Sequence, residues 1–161
     1  MIRRLRQDDA GELAALLRAN RDFLAPFEPV RDERFFTPEG QAERIAQHGH
    51  LFAILDDEAI AGTIAISNVL LGALRSANVG YWVDQARNGR GLASSAVAEV
   101  AETAFGELEL HRLEAGTLVD NIGSQRVLER NRFPRIGIAP RYLHIGGAWR
   151  DHVLFQRTVE D

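Results

Sequence analysis

Residues 88–97 read NGRGLASSAV: two glycines bracket an arginine, and a run of small and apolar side chains comes after them. The fold turns on whether this stretch is a hairpin turn or a strand-to-helix junction. Asn-Gly is a strong short hairpin signal, but a hairpin turn must lead into a strand. Residues 92–105 instead have helical period, with Leu92, Ala96, Val100 and Ala104 on one row and Ala93, Val97, Ala101 and Phe105 on the next. The stretch is therefore read as a glycine loop that opens a helix. Such a junction gathers free backbone N–H groups and the positive end of the helix dipole at one point, and glycines let an anion approach them closely.

Outward from the loop, the segments alternate between the two periods. Before it lie LFAILDD and AIAGTIAISNV, β-branched and apolar about an acidic turn, which read as a hairpin, then a strand NVGYWVD at 78–84. Earlier still are a short strand IRRLR and a first helix over which Asp8 and Asp9 stand at the N-cap, with Glu12 completing a capping box. RDFLAPFEPVRDERFF reads as a loop or broken helix, and Thr37-Pro38 as the start of a helix to about Gln47. After the loop helix come a strand HRLEAGTLVD, a helix from the cap Asn121 to about Arg130, and two strands, RIGIAPRYLHI and WRDHVLFQRT, joined by Gly146-Gly147. This order predicts an α/β (α+β) domain with a mixed central sheet flanked by helices.

The chain has 161 residues, which is the size of one domain, and 1–161 is read as a single unit. No apolar run approaches the roughly 18 residues of a membrane span, and MIRRLRQDD passes at once into acids, so no membrane association and a cytoplasmic location are expected. There is no cysteine, which excludes disulfides and a cysteine nucleophile. The five histidines show no three-ligand arrangement, and no metal site is expected. All 19 basic residues are arginine and the net charge is -4, so a nucleic-acid partner is not expected. The charge is uneven, however: residues 1–60 hold 8 Arg against 12 acids, and residues 112–157 hold 8 Arg against 4. The C-terminal part favours a polyanionic small molecule.

Which phosphate ligand the loop takes is narrowed by what is missing. A Walker loop needs a lysine that the chain lacks, and a dinucleotide fingerprint needs a third glycine where Ser94 stands. The pyrophosphate of coenzyme A remains. The register Asn88-Gly89-Arg90-Gly91-Leu92-Ala93 resembles the Gln/Arg-x-x-Gly-x-Gly/Ala signature of the GCN5-related N-acetyltransferases (GNAT), matching at Gly91 and Ala93 and departing at Asn88. HRLEAGTLVDNIGSQRVLERNRF resembles the family's next strand and helix, with its Asn-x-x-Ser at Asn121 and Ser124. NRDFLAPFEPVRDE, ISNVLLG, VGYWVD and YLHIGGAWRDHVLF resemble the branch of RimJ- and RimL-type ribosomal-protein-alanine N-acetyltransferases.

The resemblance implies the GNAT fold, a mostly antiparallel sheet of six to seven strands with a splayed parallel pair. It implies acetyl-CoA as cosubstrate without a metal, and an amine as acceptor. Backbone groups of Trp82 and Val83 would pair with the pantetheine arm, and Asn88, Gly89, Arg90, Gly91, Leu92, Ala93 and Ser94 would cradle the pyrophosphate. Asn121 would touch the pantetheine or acetyl group. Arg126 or Arg130 would approach the nucleotide, unless they simply form a solvated helix face.

Acetyl transfer to an amine needs a neutral nucleophile, a donor to the developing oxyanion and a proton for the departing thiolate. The oxyanion donor is assigned to the Val83 N–H, and the proton donor to Ser124 or Tyr142. In the branch an acid can stand before the Tyr-Leu pair as base; here that place is Arg141, at the acceptor site, which cannot accept a proton. Glu28, Glu114 and Asp151 are alternative bases. An α-amine, with a pKa of about 7.7–8.0 against about 10.4 for lysine, tolerates a weak base. Phe27 and Trp149 would wall the acceptor groove and Glu28 would meet the ammonium group.

Three functions stand for test. The first is acetylation of a protein N-terminus, with a ribosomal protein as the partner the resemblance implies. The second is acetylation of a small amine such as a peptide antibiotic, and the third an acyl-CoA-binding module without catalysis. The chain is expected to act as a monomer or homodimer.

Overall fold

The computed structural model describes residues 1–159. Its frame is one seven-stranded sheet in the order β1-β2-β3-β4-β5-β7-β6, built from β1 (Ile2–Arg4), β2 (Leu51–Asp56), β3 (Ala59–Leu70), β4 (Ser76–Val83), β5 (Arg112–Leu118), β6 (Arg135–Ile145) and β7 (Ala148–Thr158). Every neighbouring pair is antiparallel except β4 with β5. That parallel pair is joined for only three residues, Ser76–Asn78 against Arg112–Glu114 in register, and beyond them the strands part.

Five helices cover the two faces: α1 (Ala10–Ala19), α2 (Arg21–Leu24), α3 (Pro38–Gln47), α4 (Leu92–Glu102) and α5 (Ile122–Arg130). The strands' two-residue alternation sorts the apolar side chains between them. Phe52, Ile54, Ile64, Ile66, Ala77 and Val79 point to the face covered by α4 and α5, where they meet Val97, Val100 and Leu128. Leu51, Ala53 and Ile60 point the other way, against Leu13 and Leu17 of α1 and Ile45 of α3. Each helix therefore exists because it carries one apolar stripe for one face of the sheet. In α4 the stripe is made of small residues, Ala96, Val97, Val100 and Ala101, continued by Ala104 in the turn that follows, all sealed from solvent, so the backbone lies close on the strands.

Two predicted details differ. The loop helix is regular only to Glu102; residues Thr103–Glu107 form a wider π turn that includes Gly106. Asp9 does not cap α1 through its side chain. Its carboxylate accepts the N–H of Arg6 at 2.7 Å and two bonds from the Arg3 guanidinium at 2.7 and 2.8 Å, because the turn before α1 begins earlier, at Gln7. Glu12 is not free to complete a capping box: it accepts the N–H of Ile60 at 2.8 Å and so bonds α1 to β3. Among the described residues no helix is long and apolar enough to cross a membrane.

Candidate active site

Where β4 and β5 part, a cleft of about 790 Å³ opens between residues 79–83 of one and 115–118 of the other. It passes from one face of the sheet to the other. Val79, Tyr81 and Val83 belong to the α4/α5 layer, whereas Trp82 belongs to the α1/α3 layer.

On the α4/α5 side the cleft is closed by the loop that decided the fold. Gly89 and Gly91 both have φ of +80°, a left-handed conformation that costs an L side chain but not glycine. Gly91 is the N-cap of α4, with no side chain bonding the first turn. The N–H groups of residues 89–94 thus converge without an acceptor among the described residues, at the positive end of an 11-residue helix. Asn88, Gly89, Gly91, Leu92, Ala93 and Ser94 all line the cleft, as do Arg126 and Arg130 of α5. Arg90 departs from this set: its guanidinium pairs with Asp56 at 2.9 Å, leaving only its backbone to the loop. Asn131, just past α5, donates to the carbonyl and hydroxyl oxygens of Ser94, each at 3.1 Å, and holds the two helix ends together. The set fits a pyrophosphate: unpaired N–H donors, no acid, and arginines at the rim.

The central wall is set by a close approach that the sequence did not reveal. A Cβ on Gly62 of β3 would lie 2.9 Å from Val83 Cα and 3.0 Å from the Trp82 carbonyl carbon, and closer still to the carbonyl oxygen. Only glycine lets the Trp82–Val83 peptide settle there. Its C=O faces β3, so in a trans peptide the Val83 N–H faces the other way, into the splay.

Asn121 caps α5, its Oδ1 accepting the Ser124 N–H at 3.2 Å. The cap fixes Ser124 at the cleft, with its Oγ 2.8 Å from the hydroxyl of Tyr81. Burial pushes the Tyr81 phenol up to about 12, opposed by the bond to Ser124. A phenol that keeps its proton can donate to Ser124 Oγ and leave the serine proton free to point elsewhere.

On the opposite side the cleft is lined by Phe23, Phe27 and Glu28 after α1, by Arg44 of α3 and His48 just past its end, and by His152 of β7. Glu28 is engaged by Arg31 at 3.1 Å. Burial, then Arg31, hold the Arg44 guanidinium below the usual arginine range, and burial with Arg44 lowers His48. At this mouth Phe27 is 40% exposed, and Tyr142 (41%) and Trp149 (59%) stand exposed on β6 and β7 beyond the lining.

The remaining sequence candidates lie on β5, β6 and β7 outside this lining. Tyr142 packs its ring 5.6 Å from that of His152, and Trp149 its ring 5.4 Å from that of His144. Arg141 stands in an irregularity of β6 with φ of +49°, its N–H donated to Asp151 at 2.8 Å. Glu114 faces Arg112 at 3.6 Å. Tyr81, Arg44, His48 and His152 were not singled out from sequence. Tyr81 alone had a readable signal: it stands two residues before Val83, on the same side of a strand.

Residues 1–134 match the family model described as an acetyltransferase (GNAT) domain. A probable N-acetyltransferase, YjcK of Bacillus subtilis (strain 168), is 40% identical over 94% of this chain and 89% of its own length. The [Ribosomal protein uS5]-alanine N-acetyltransferase of Escherichia coli (strain K12) is 33% identical over 100% of this chain and 88% of its own. Among solved structures, Mycobacterium smegmatis RimJ in complex with CoA-disulfide superposes with a TM-score of 0.91 at 34% identity, covering 98% of this chain and 80% of that one. The sheet with its parted parallel pair, the glycine loop at a helix start and these likenesses agree: the chain belongs to the GNAT acetyltransferases and is an N-acetyltransferase of the RimJ/RimL type.

Proposed function

We propose that the chain transfers acetyl from acetyl-CoA to the N-terminal α-amine of a protein, a ribosomal protein being the acceptor suggested by its relatives. The observation that carries this reading is a cleft through the sheet, with unpaired N–H donors at one mouth and an exposed rim at Phe27 at the other. An exposed rim suits an extended chain end better than a small amine, which an enclosed pocket would hold more tightly.

Bound acetyl-CoA supplies a thioester whose acetyl carbon accepts the amine. The N–H groups of residues 89–94 and the arginines of α5 hold the pyrophosphate. The splayed edge of β4 aligns the pantetheine arm, and the Val83 N–H donates to the carbonyl oxygen as negative charge develops on it. Ser124, held by Asn121 and Tyr81, gives a proton to the departing sulfur. Phe27 and Trp149 flank the acceptor chain, which enters from the α1/α3 side.

The test is an acceptor panel of Ala- and Ser-starting peptides, N-terminally blocked lysine peptides and polyamines, with released CoA as readout. Turnover of free α-amine peptides supports the reading. Turnover of small amines alone transfers the activity to that class, and tight acetyl-CoA binding with no CoA released would leave a binding module.

A further inference from the structure

The carboxylates near the acceptor half are all engaged: Glu28 by Arg31, Asp151 by the Arg141 N–H, and Glu114 beside Arg112. We propose that His152 is the base, its Nε2 taking the proton of the acceptor amine in the transfer described above.

The hydrogen bonding of the ring decides which nitrogen is available. His152 Nδ1 lies 2.9 Å from the Arg150 carbonyl oxygen. A carbonyl only accepts, so Nδ1 carries the hydrogen and the neutral ring keeps its lone pair on Nε2. His152 is 4% exposed, yet Nε2 is not sealed: among the described residues the buried side-chain atoms without a partner are His50 Nδ1 and Arg112 Nε. His152 itself lines the cleft.

Placement supports the role. His152 pairs with Leu118 at the end of β5, and Leu154 pairs with Gly116. A Cβ on Gly116 would lie 3.6 Å from His152 Cδ2, the carbon bonded to Nε2. Glycine at 116 therefore adds no side chain against that edge of the imidazole, beside which Leu154 and Tyr142 also pack. The Tyr142 ring at 5.6 Å packs on the imidazole from β6 and fixes its plane. Val153 and Phe155, on either side in sequence of Leu154, point into the α4/α5 layer, so His152 points to the other, acceptor face. Proton acceptor and proton donor thus stand on opposite faces, His152 toward the amine and Ser124 toward the sulfur. The titratable and charged groups facing the same space are Tyr142 of β6, Glu28 and Arg31 of the loop after α2, Arg44 of α3 and His48 just past its end.

In this step Nε2 takes a proton from the acceptor ammonium, the neutral nitrogen left behind bonds to the acetyl carbon, and its surplus proton passes to solvent as the amide forms. The C–S bond breaks, its electron pair goes to sulfur, and the thiolate takes a proton from Ser124 Oγ. The imidazolium returns its proton to solvent and the serine regains one. No oxidant or further reactant is needed.

The test uses the whole protein and its best acceptor from the panel, so a failure of the α-amine reading shows first in wild-type turnover and leaves His152 testable on whichever amine is used. His152→Gln should lower kcat by about 100-fold at neutral pH, as loss of a general base does, with acetyl-CoA binding within about twofold by calorimetry. Because an α-amine is neutral above about pH 8, the deficit should shrink to about threefold at high pH, where no base is required. A deficit equal at every pH, or none at all, would overturn the proposal. Nitrogen NMR of wild-type protein labelled at histidine is independent of turnover and of the variant's folding: the neutral tautomer of His152 is expected to carry its hydrogen on Nδ1, and a neutral ring with hydrogen on Nε2 would overturn it.

Discussion

Replacing Gly62 by alanine tests the geometry at the centre of the cleft. The added Cβ would meet Val83 Cα at 2.9 Å and the Trp82 carbonyl carbon at 3.0 Å, whereas carbon atoms are comfortable at about 3.5–4.0 Å. The Trp82 carbonyl oxygen would be closer still, so the Trp82–Val83 peptide must retreat by about 1 Å or more, toward the space the thioester needs. Overpacking of this kind costs about 1–3 kcal/mol, and a protein with about 5–15 kcal/mol of stability survives it. The catalytic cost is larger in proportion. A displacement of about 1 Å at a reacting group costs on the order of 100-fold, and one oxyanion donor is worth about 100- to 1000-fold in kcat. Gly62→Ala should therefore remain folded by circular dichroism, lose about 2 kcal/mol in denaturant titration, and lose about 100-fold in kcat. Gly11→Ala is the control: nothing lies within 4 Å of its Cβ, and it sits in α1, so it should stabilise by about 0.5–1 kcal/mol and leave kcat alone. A Gly62→Ala protein with wild-type kcat would refute the assignment of Val83 as oxyanion donor.

Other parts of the structure give further expected outcomes. Gly91→Val forces a β-branched residue to φ of +80°, so stability should fall by about 1–2 kcal/mol while CoA affinity, read by calorimetry, falls at least about tenfold; unchanged affinity would remove the loop from the CoA site. Asp9→Asn breaks the bonds to Arg3 and should cost about 2 kcal/mol near neutral pH, less than a sealed pair because the Arg3 side chain is 30% exposed. The Asp9 carboxyl is held below its usual value, first by the Arg3 hydrogen bond, so this stabilisation is present above about pH 4 and lost as pH falls through the folded value; denaturant midpoints of variant and wild type should converge in acid. Tyr81 titrates at about 12, so its phenol should still be un-ionised at about pH 10 in an absorbance titration, and its contribution to stability should vanish between about pH 10 and 12, the window separating unfolded from folded ionisation.

Most of the scaffold was legible because it rests on local signals. Thr37-Pro38 starts α3, and its hydroxyl accepts the Gly40 N–H as a cap should. Asn121 caps α5 as read, and the small-residue stripe of α4 announced close packing. The errors came where a side chain chose a distant partner over a local one. Asp9 and Glu12 had the spacing of a capping box, but Arg3 engages the first and the Ile60 N–H the second. The glycine loop was legible from the helical period of residues 92–105, while the role of Gly62 was not, because its reason lies across the sheet on β4. The acceptor half was the least legible part. His152 and Gly116 are neighbours only through the pairing of β5 with β7, and Tyr81 meets Ser124 across 43 residues. Arg141 marks the same limit: the sequence showed a missing acid, and only the register of β7 brings an imidazole to the cleft.

The central claim is that one cleft brings donor and acceptor together from opposite faces of the sheet. A crystal structure of the protein with CoA and an Ala-starting peptide tests it most directly. The account predicts pyrophosphate oxygens within hydrogen-bond reach of the N–H groups of residues 89–94, the CoA sulfur beside Ser124, and the peptide nitrogen on the α1/α3 side facing His152. A pyrophosphate bound away from the glycine loop, or a peptide entering from the α4/α5 side, would contradict it.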